Sequence, residues 1–299
     1  MDELSVSIIT PSYNQASYIE ATIQSVLNQQ IPGLEYIVVD GGSSDDTIAI
    51  LQKYQEQLRW SSQKDDGQAH AVNKGMTMTS GDIIGWLNSD DIYYPGAIEK
   101  IRRYFAAHPE VDVVYGDAWE VDCDGAIIKK YLTETWDLAR LQVHCFISQP
   151  AAFFRRRILD RYGLLDTGLH FCMDYEYWLR LGMMGVSFSY IPEVFAGSRF
   201  YPGTKTCGFP LKATQEALNM LKNRIGYVPS RWLVNYAVLL VKNSTNQSSL
   251  NWRSKFAAWC IASYYGFKWN GFFRGIKTLI NLPVAMIQMK LISQRWTFL

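Results

Sequence analysis

The sequence predicts an α/β protein, a mixed, mostly parallel sheet with helices on both faces, followed by a helical C-terminal region. Three observations predict it. From Ser5 to about Tyr115, short β-rich runs alternate with amphipathic helical patterns, as βαβ units require. From Tyr115 to Glu216 the alternation gives way to a hairpin pattern and mixed segments, and beyond Glu216 the chain is helical in pattern, aromatic and free of acids. With 299 residues and 48% of them apolar, there is enough chain to bury one large core with an appendage.

The elements follow in order. VSIIT opens the sheet, and Ser17 with Glu20 forms a capping-box pattern ahead of Ile19, Ile23, Val26 and Leu27 at helical spacing. EYIVVD is the second strand. Ser43 or Ser44 is placed to cap the helix after it, with Asp45 and Asp46 in its electropositive first turn. LRWSS, DIIGWL and VDVVY are further strands, and a helix with Pro95 near its start lies between the last two. DAWEVDCDGAIIKKY reads as a hairpin turning at Asp124 and Gly125, and DYEYWLRLGMMG as a helix. The expected division is residues 1–206 as a catalytic domain and 207–299 as a basic, aromatic-rich helical region, with a polar break at Lys242 to Ser249.

Composition narrows the class. Five scattered cysteines without a CxxC point to thiols in a reducing compartment, and four histidines without HExxH argue against a zinc site. The start, MDELSVSIIT, lacks the basic and apolar regions of a secretory signal, so a cytoplasmic location is expected. The longest apolar run, WLVNYAVLLV, is about half of the 18 to 20 residues that a spanning helix needs. A net charge of +1 hides an asymmetry. Ala217 to Leu299 carries 11 Lys or Arg and no acid, against 18 basic and 28 acidic residues before it.

In open α/β sheets, ligands bind beyond the carboxyl ends of the parallel strands, and the polar motifs of this chain fall there. VSIIT runs into Pro11, Ser12, Tyr13 and Asn14; IVVD ends in Asp40; LRWSSQ runs into Lys64, Asp65 and Asp66; IIGWL ends in Asn88, Ser89, Asp90 and Asp91. Four such ends form one polar rim around one ligand. Taken singly, Asp90 and Asp91 either cap the next helix or bind something, and Asp66 either sits in a plain turn or meets a ligand.

With SIITPSYN, VVDGGSSDDT, WLNSDD and MDYEYWLRL in this order, the chain resembles the inverting glycosyltransferases of family 2, which have the Rossmann-like GT-A fold. The resemblance covers roughly Ser5 to Thr206. It implies a nucleotide-diphosphate sugar donor, UDP-sugar favoured, and transfer to a glycan or lipid-linked acceptor hydroxyl. It also implies a divalent cation, Mn²⁺ or Mg²⁺, to neutralise the departing diphosphate. Carried over position by position, Asp91 is the metal ligand and Asp90 faces the ribose or sugar. Asp40, Tyr13, Pro11 and Asn14 meet the nucleoside, Asp66 meets the base or donor sugar, and Asp174 takes the acceptor proton. Asn88 stands where the family's D-x-D signature has its first carboxylate, which leaves the ligand set open.

Downstream, SRFYPGTKT carries Arg199, Gly203 and Lys205 in an expected loop, either a lid over the diphosphate or a solvated basic linker. The family often has a His near Tyr201. His144 and Gln149 lie near the acceptor or form a structural pair. In the C-terminal region, Trp232, Trp252, Trp259, Trp269 and Trp296 stand among Lys and Arg. That composition suits interfacial helices on the inner face of an anionic membrane, and no nucleic-acid module is recognisable. Helices packed on a partner are the other reading of this region. A nucleotidyltransferase and a non-catalytic nucleotide-sugar or membrane scaffold remain alternatives, although PSYNQAS lacks the glycines of a phosphate loop.

Overall fold

The structure, a computed structural model, describes residues 4–245 and 251–293. Trp296 and the 246–249 part of the expected polar break lie outside the described residues. In chain order the elements are β1 (Val6–Ser12), α1 (Ile19–Leu27), β2 (Glu35–Asp40), α2 (Thr47–Lys53), β3 (Arg59–Ser62), α3 (Gln68–Met78), β4 (Ile83–Trp86) and β5 (Ile92–Tyr93). There follow α4 (Ala97–Ala107), β6 (Val113–Val121), β7 (Ile127–Lys130), α5 (Leu138–Val143), β8 (Ala152–Arg155), α6 (Arg157–Tyr162), α7 (Met173–Met183) and β9 (Phe188–Arg199). The last four are α8 (Lys205–Gly208), α9 (Pro210–Ile225), α10 (Ser230–Thr245) and α11 (Trp252–Ser293).

The chain divides into two compact units, Met1–Leu138 with Cys145–Tyr201, and Ala139–His144 with Pro202–Leu299. The first unit carries one mixed sheet in the order β3-β2-β1-β4-β8-β6-β9-β5, with β7 paired to β6. Pairing is parallel from β3 through β4 and again between β6 and β9, while β8 runs antiparallel to both β4 and β6. Ile8, Ile9, Ile37, Val38, Ile83 and Ile84 are fully buried, as strands covered on both faces demand. Gly75 lets α3 press onto β1, since a Cβ there would meet Ile9 Cγ2 at 2.4 Å.

Register sets the rim. Ser12 pairs with Asp40 and Asp40 with Ser62, so the ends of β1, β2 and β3 are level, and β4 ends beside β1 through the Ile9–Trp86 pair. The expected hairpin forms between β6 and β7, with Gly125 at φ +87 and Asp122 Oδ1 accepting the Asp124 and Ala126 amides.

Two expected caps do not form. Helix α1 starts at Ile19 with no side-chain cap, because Gln15 O already accepts the Tyr18 and Ile19 amides, and Glu20 instead takes the Tyr54 hydroxyl at 3.1 Å. Ser43 and Ser44 lie before α2 in a loop tied to Asp40 and Asn14, while Asp45 accepts the Thr47 amide that begins the helix. Nor do Asp90 and Asp91 cap α4. The short strand β5 intervenes, and Gly96 at φ +78 leads into that helix.

In the second unit, Leu218, Val228, Leu233, Val234, Ala237, Val241, Ala258 and Ala262 form a core shared by α9, α10 and α11. The Asn270 amide clasps both backbone groups of Val228 at 2.7 and 2.9 Å, just before Gly271 at φ +71 breaks α11. Among the described residues, no helix is long and apolar enough to cross a membrane, and the five cysteines are free thiols.

Candidate active site

The carboxyl end of β1 supplies the first wall. Pro11 is buried opposite Val39, whereas Tyr13 projects with 60% of its surface exposed. Asn14 takes a left-handed conformation (φ +52) that lets its Oδ1 accept the Ser44 amide at 2.8 Å, while its own amide donates to Ser43 Oγ at 2.7 Å. The β1 and β2 loops are thereby stitched together.

Asp40, 1% exposed, holds that stitch from below. Its Oδ2 accepts the Gly42 and Ser43 amides and the Ser62 hydroxyl at 2.9, 2.8 and 2.7 Å, and its Oδ1 accepts Ser43 Oγ at 2.5 Å. The side chain expected to meet the nucleoside is thus a brace for the 41–46 loop, with acceptor capacity remaining only on Oδ1.

Of the two aspartates after β3, Asp65 is the one turned towards this loop. Its carboxylate lies so close to Gly41 that a Cβ there would meet Oδ2 at 2.8 Å, and its Oδ1 accepts the Gly67 amide at 2.9 Å. Asp66, the residue chosen from the sequence, is exposed, and its amide donates to His70 Nδ1. Two adjacent acids offer no sequence signal for which faces inward; the glycine at position 41 becomes informative only once the loops are folded.

At the end of β4, Asn88 Oδ1 accepts Trp86 Nε1 at 2.9 Å and Gln68 Nε2 at 2.7 Å, and its Nδ2 donates to Asp91 at 3.3 Å. Asp91 is 3% exposed, accepts the Arg199 amide at 2.9 Å and takes a further hydrogen bond from the Ser198 side chain. Burial first, and then the neighbouring Asp90 charge, push its carboxyl well above the usual range. Asp90 is half-buried and accepts the Tyr201 hydroxyl at 3.2 Å. The two carboxylates therefore differ in access, with Asp91 locked inward and Asp90 at the rim.

Arg199 is the last residue of β9 rather than part of a mobile loop. It is 8% exposed, its guanidinium donates to the Asp90 carbonyl and lies 5.1 Å from the Tyr18 ring centroid, and its Nε is buried without a partner. Tyr18 and Tyr201 pack with their rings 4.8 Å apart. A lid role for Arg199 is corrected accordingly, because strand pairing with β6 fixes it in place. Lys205 opens α8 in the second unit, so the two basic residues expected to act together belong to different units.

Asp174 is the second residue of α7 and half-buried. Its charge, after burial, raises the Cys145 thiol, and it contributes to raising the Tyr131 hydroxyl. The helix is set by Glu176, fully buried, which pairs with Arg180 at 2.9 Å. Arg180 also donates to the carbonyls of Tyr162 and Leu164 at 2.6 and 2.7 Å. This pair is a buried clamp on the segment leading into α7. That segment is held to α3 by Asn73, whose amide takes both backbone groups of Leu165 at 2.9 Å, and it brings His170 within 3.7 Å of a Cβ built at Gly67. The lead-in to Asp174 therefore reaches the Asp65–Gln68 side of the rim. Gln149 serves a structural contact, donating to the Trp86 carbonyl at 2.5 Å, and His144 belongs to the second unit.

A hard divalent cation takes one or two protein carboxylates and completes its shell with phosphate and water. The Asp90–Asp91 step fits that requirement. Among the described residues no three His, Cys, Asp or Glu side chains gather into a closed cage, so most of the shell would come from the ligand.

Comparison with known proteins places this geometry in context. An uncharacterised glycosyltransferase of Rickettsia typhi is 27% identical over 98% of this chain and 88% of its own length. The chondroitin synthase of Escherichia coli is 31% identical over 60% of the chain, which spans only 27% of that enzyme. Among solved structures, S. aureus TarS 1–349 in complex with UDP-GlcNAc superposes with a TM-score of 0.65 at 16% identity, covering 95% of this chain and 92% of TarS. The mannosyltransferase PcManGT of Pyrobaculum calidifontis, solved with GDP-Man and Mn²⁺, gives 0.53 at 18% identity, covering 96% and 75%. The fold is that of GT-A enzymes. Residues 7–163, more than half of the chain and the part that builds β1 to β8, match the family model described as "Glycosyl transferase family 2", and the chain belongs to that family.

Proposed function

We propose that this glycosyltransferase moves a sugar from a nucleotide-diphosphate donor, UDP-linked, to an acceptor hydroxyl with inversion at the anomeric carbon, in the synthesis of a polysaccharide or glycolipid. The observation that carries the reading is the level rim, where the β1, β2, β3 and β4 ends converge on one edge with Asp40, Asp65 and Asp90 around it.

The nucleoside lies across the Pro11–Asn14 turn and the loop that Asp40 braces, with Tyr13 free to cover the base and Asp65 beside it. Asp90, with Asp91 behind it, would hold a divalent cation, Mn²⁺ or Mg²⁺, which would supply positive charge to offset that of the departing diphosphate. Asn88 and Arg199 keep the two carboxylates in their separate orientations. Asp174 takes the acceptor hydroxyl's proton on the side opposite the leaving group as the new C–O bond forms. Asp174 is half-buried, and its charge acts on Cys145 and Tyr131. A membrane-delivered acceptor agrees with the acid-free C-terminal region.

The test is a donor screen with and without Mn²⁺ in the presence of membrane extract, reading release of nucleoside diphosphate. One sugar nucleotide should give release, and Asp174→Asn should lower it at least about a thousandfold while donor affinity stays within a few-fold. Pyrophosphate release from a nucleoside triphosphate would favour a nucleotidyltransferase, and donor binding with no turnover in either form a scaffold.

A further inference from the structure

The outer face of α11 is unaccounted for by sugar transfer. On a helical wheel at about 100° per residue, Ser254, Ala258 and Ala262 face one arc and are buried in the α9–α10–α11 core. The opposite arc carries Trp252, Phe256, Cys260 and Tyr264 at successive i,i+4 positions, with Trp252 73% exposed and Phe256 and Tyr264 each 62% exposed. Phe267, folded over Gly275, continues the stripe. From Trp252 to Phe267 this is a ridge roughly 22 Å long at 1.5 Å per residue. Lys255 and Lys268 stand on its two flanks, and Arg253 lies over the Trp252 ring, 5.3 Å from its centroid.

We infer that this face is a docking surface for an anionic lipid bilayer, lying in the headgroup boundary with the aromatics inserted and the lysines reaching up to lipid phosphates. Charge decides the occupant. The segment from Ala217 onward has 11 basic residues and no acid, so a second copy of the same face would oppose cations to cations. An anionic leaflet satisfies both halves of the pattern at once, with apolar rings at the acyl boundary and ammonium groups snorkelling to phosphate. Cys260 sits near the middle of the aromatic arc and should be immersed when the surface is engaged. The inference concerns the second unit alone and stands apart from the chemistry proposed for Asp174.

The test uses the full chain and vesicles of phosphatidylcholine with or without phosphatidylglycerol. Sedimentation should show binding to the anionic vesicles and little to the neutral ones. Lys255→Ser with Lys268→Ser should lower the partition coefficient about 25-fold at low salt, each charge being worth roughly fivefold at such a surface. Trp252→Ser, Phe256→Ser and Tyr264→Ser together should lower it at least about tenfold with an unchanged thermal melt, since these side chains are exposed. A nitroxide on Cys260, in a Cys123→Ser background with the face otherwise intact, should become shielded from a water-soluble relaxation agent when anionic vesicles are added. The inference is overturned if the label stays in water, if binding ignores phosphatidylglycerol, or if light scattering shows a dimer that the three serine substitutions dissolve. Preferential binding of single-stranded RNA over anionic vesicles by the same face would also overturn it.

Discussion

Asp40→Asn separates a brace from a ligand contact. In the native loop one carboxylate oxygen accepts three donors and the other accepts one, Ser43 Oγ. An asparagine places its carbonyl where Oδ2 stands and its NH₂ against Ser43 Oγ, which turns to accept, so geometry survives and three charge-assisted bonds become neutral. Bonds to charged groups contribute about 1.5–3 kcal/mol and neutral ones about 0.5–1.5, a loss of about 1 kcal/mol each. The neutral amide is easier to bury, which leaves a net cost of about 1–3 kcal/mol. At about 2–4 °C per kcal/mol, the melting temperature should fall by about 2–12 °C. Differential scanning fluorimetry reads that fall, and calorimetry with UDP should give an affinity within a few-fold of native. An unchanged melt with UDP affinity down a hundredfold would refute the argument, since the carboxylate would then be touching the ligand rather than holding the loop.

Three further expectations rest on separate contacts. Arg180→Met strands the fully buried Glu176 charge and releases two carbonyls, and should cost about 3–5 kcal/mol in denaturant unfolding; a change under 1 kcal/mol would show the pair to be dispensable. Asn88→Asp replaces the donor facing Asp91 with a third carboxylate, so the melt should drop without divalent cation and recover when Mn²⁺ is added; a drop that Mn²⁺ leaves untouched would count against a cation at this step. Hydrogen bonds from the Ser5 hydroxyl and amide hold the Asp82 carboxyl below its usual range, so its stabilising effect is complete above an unfolded value of about 3.9 and fades as pH falls through the lower folded one. Asp82→Asn should accordingly flatten the acid limb of the stability curve, and an unaltered limb would assign it to other groups.

The strands were legible where burial on both faces writes continuous apolar runs. EYIVVD is β2 residue for residue, and VSIIT is β1 with Pro11 and Ser12 added by pairing to β2. The hairpin was legible from Asp124 and Gly125, because only a glycine takes φ +87 without strain. Strands β5, β8 and β9 were not. Two and four residues carry too little periodicity to register, and β9 includes Pro192 and Glu193 where its pairing to β6 shifts register, so its strand character comes from partners distant in sequence. Ser17 and Glu20 matched a capping pattern that lost to a carbonyl, Gln15 O, already positioned by the loop. The rim was readable in residue type but not in direction, since Asp65 and Asp66, or Asp90 and Asp91, are interchangeable in a pattern and opposite in space.

That opposition explains why an amide suits position 88. Asp91 is buried, and a buried carboxylate must have its lone pairs met or take up a proton. The Arg199 amide and the Ser198 side chain meet part of the need, and Asn88 Nδ2 supplies another donor while its Oδ1 is held by Trp86 and Gln68. An aspartate at 88 could accept from Trp86 and Gln68 equally well, but would face Asp91 with a lone pair instead of a proton. With Asn88 in place, the buried carboxylate is tied to β9 and to α3 at once, and the half-buried Asp90 is fixed relative to both. The departure from a paired-carboxylate signature thus removes one negative charge from the rim while tightening the loop that presents the other, so a cation held here would draw more on a diphosphate's oxygens than on the protein's own.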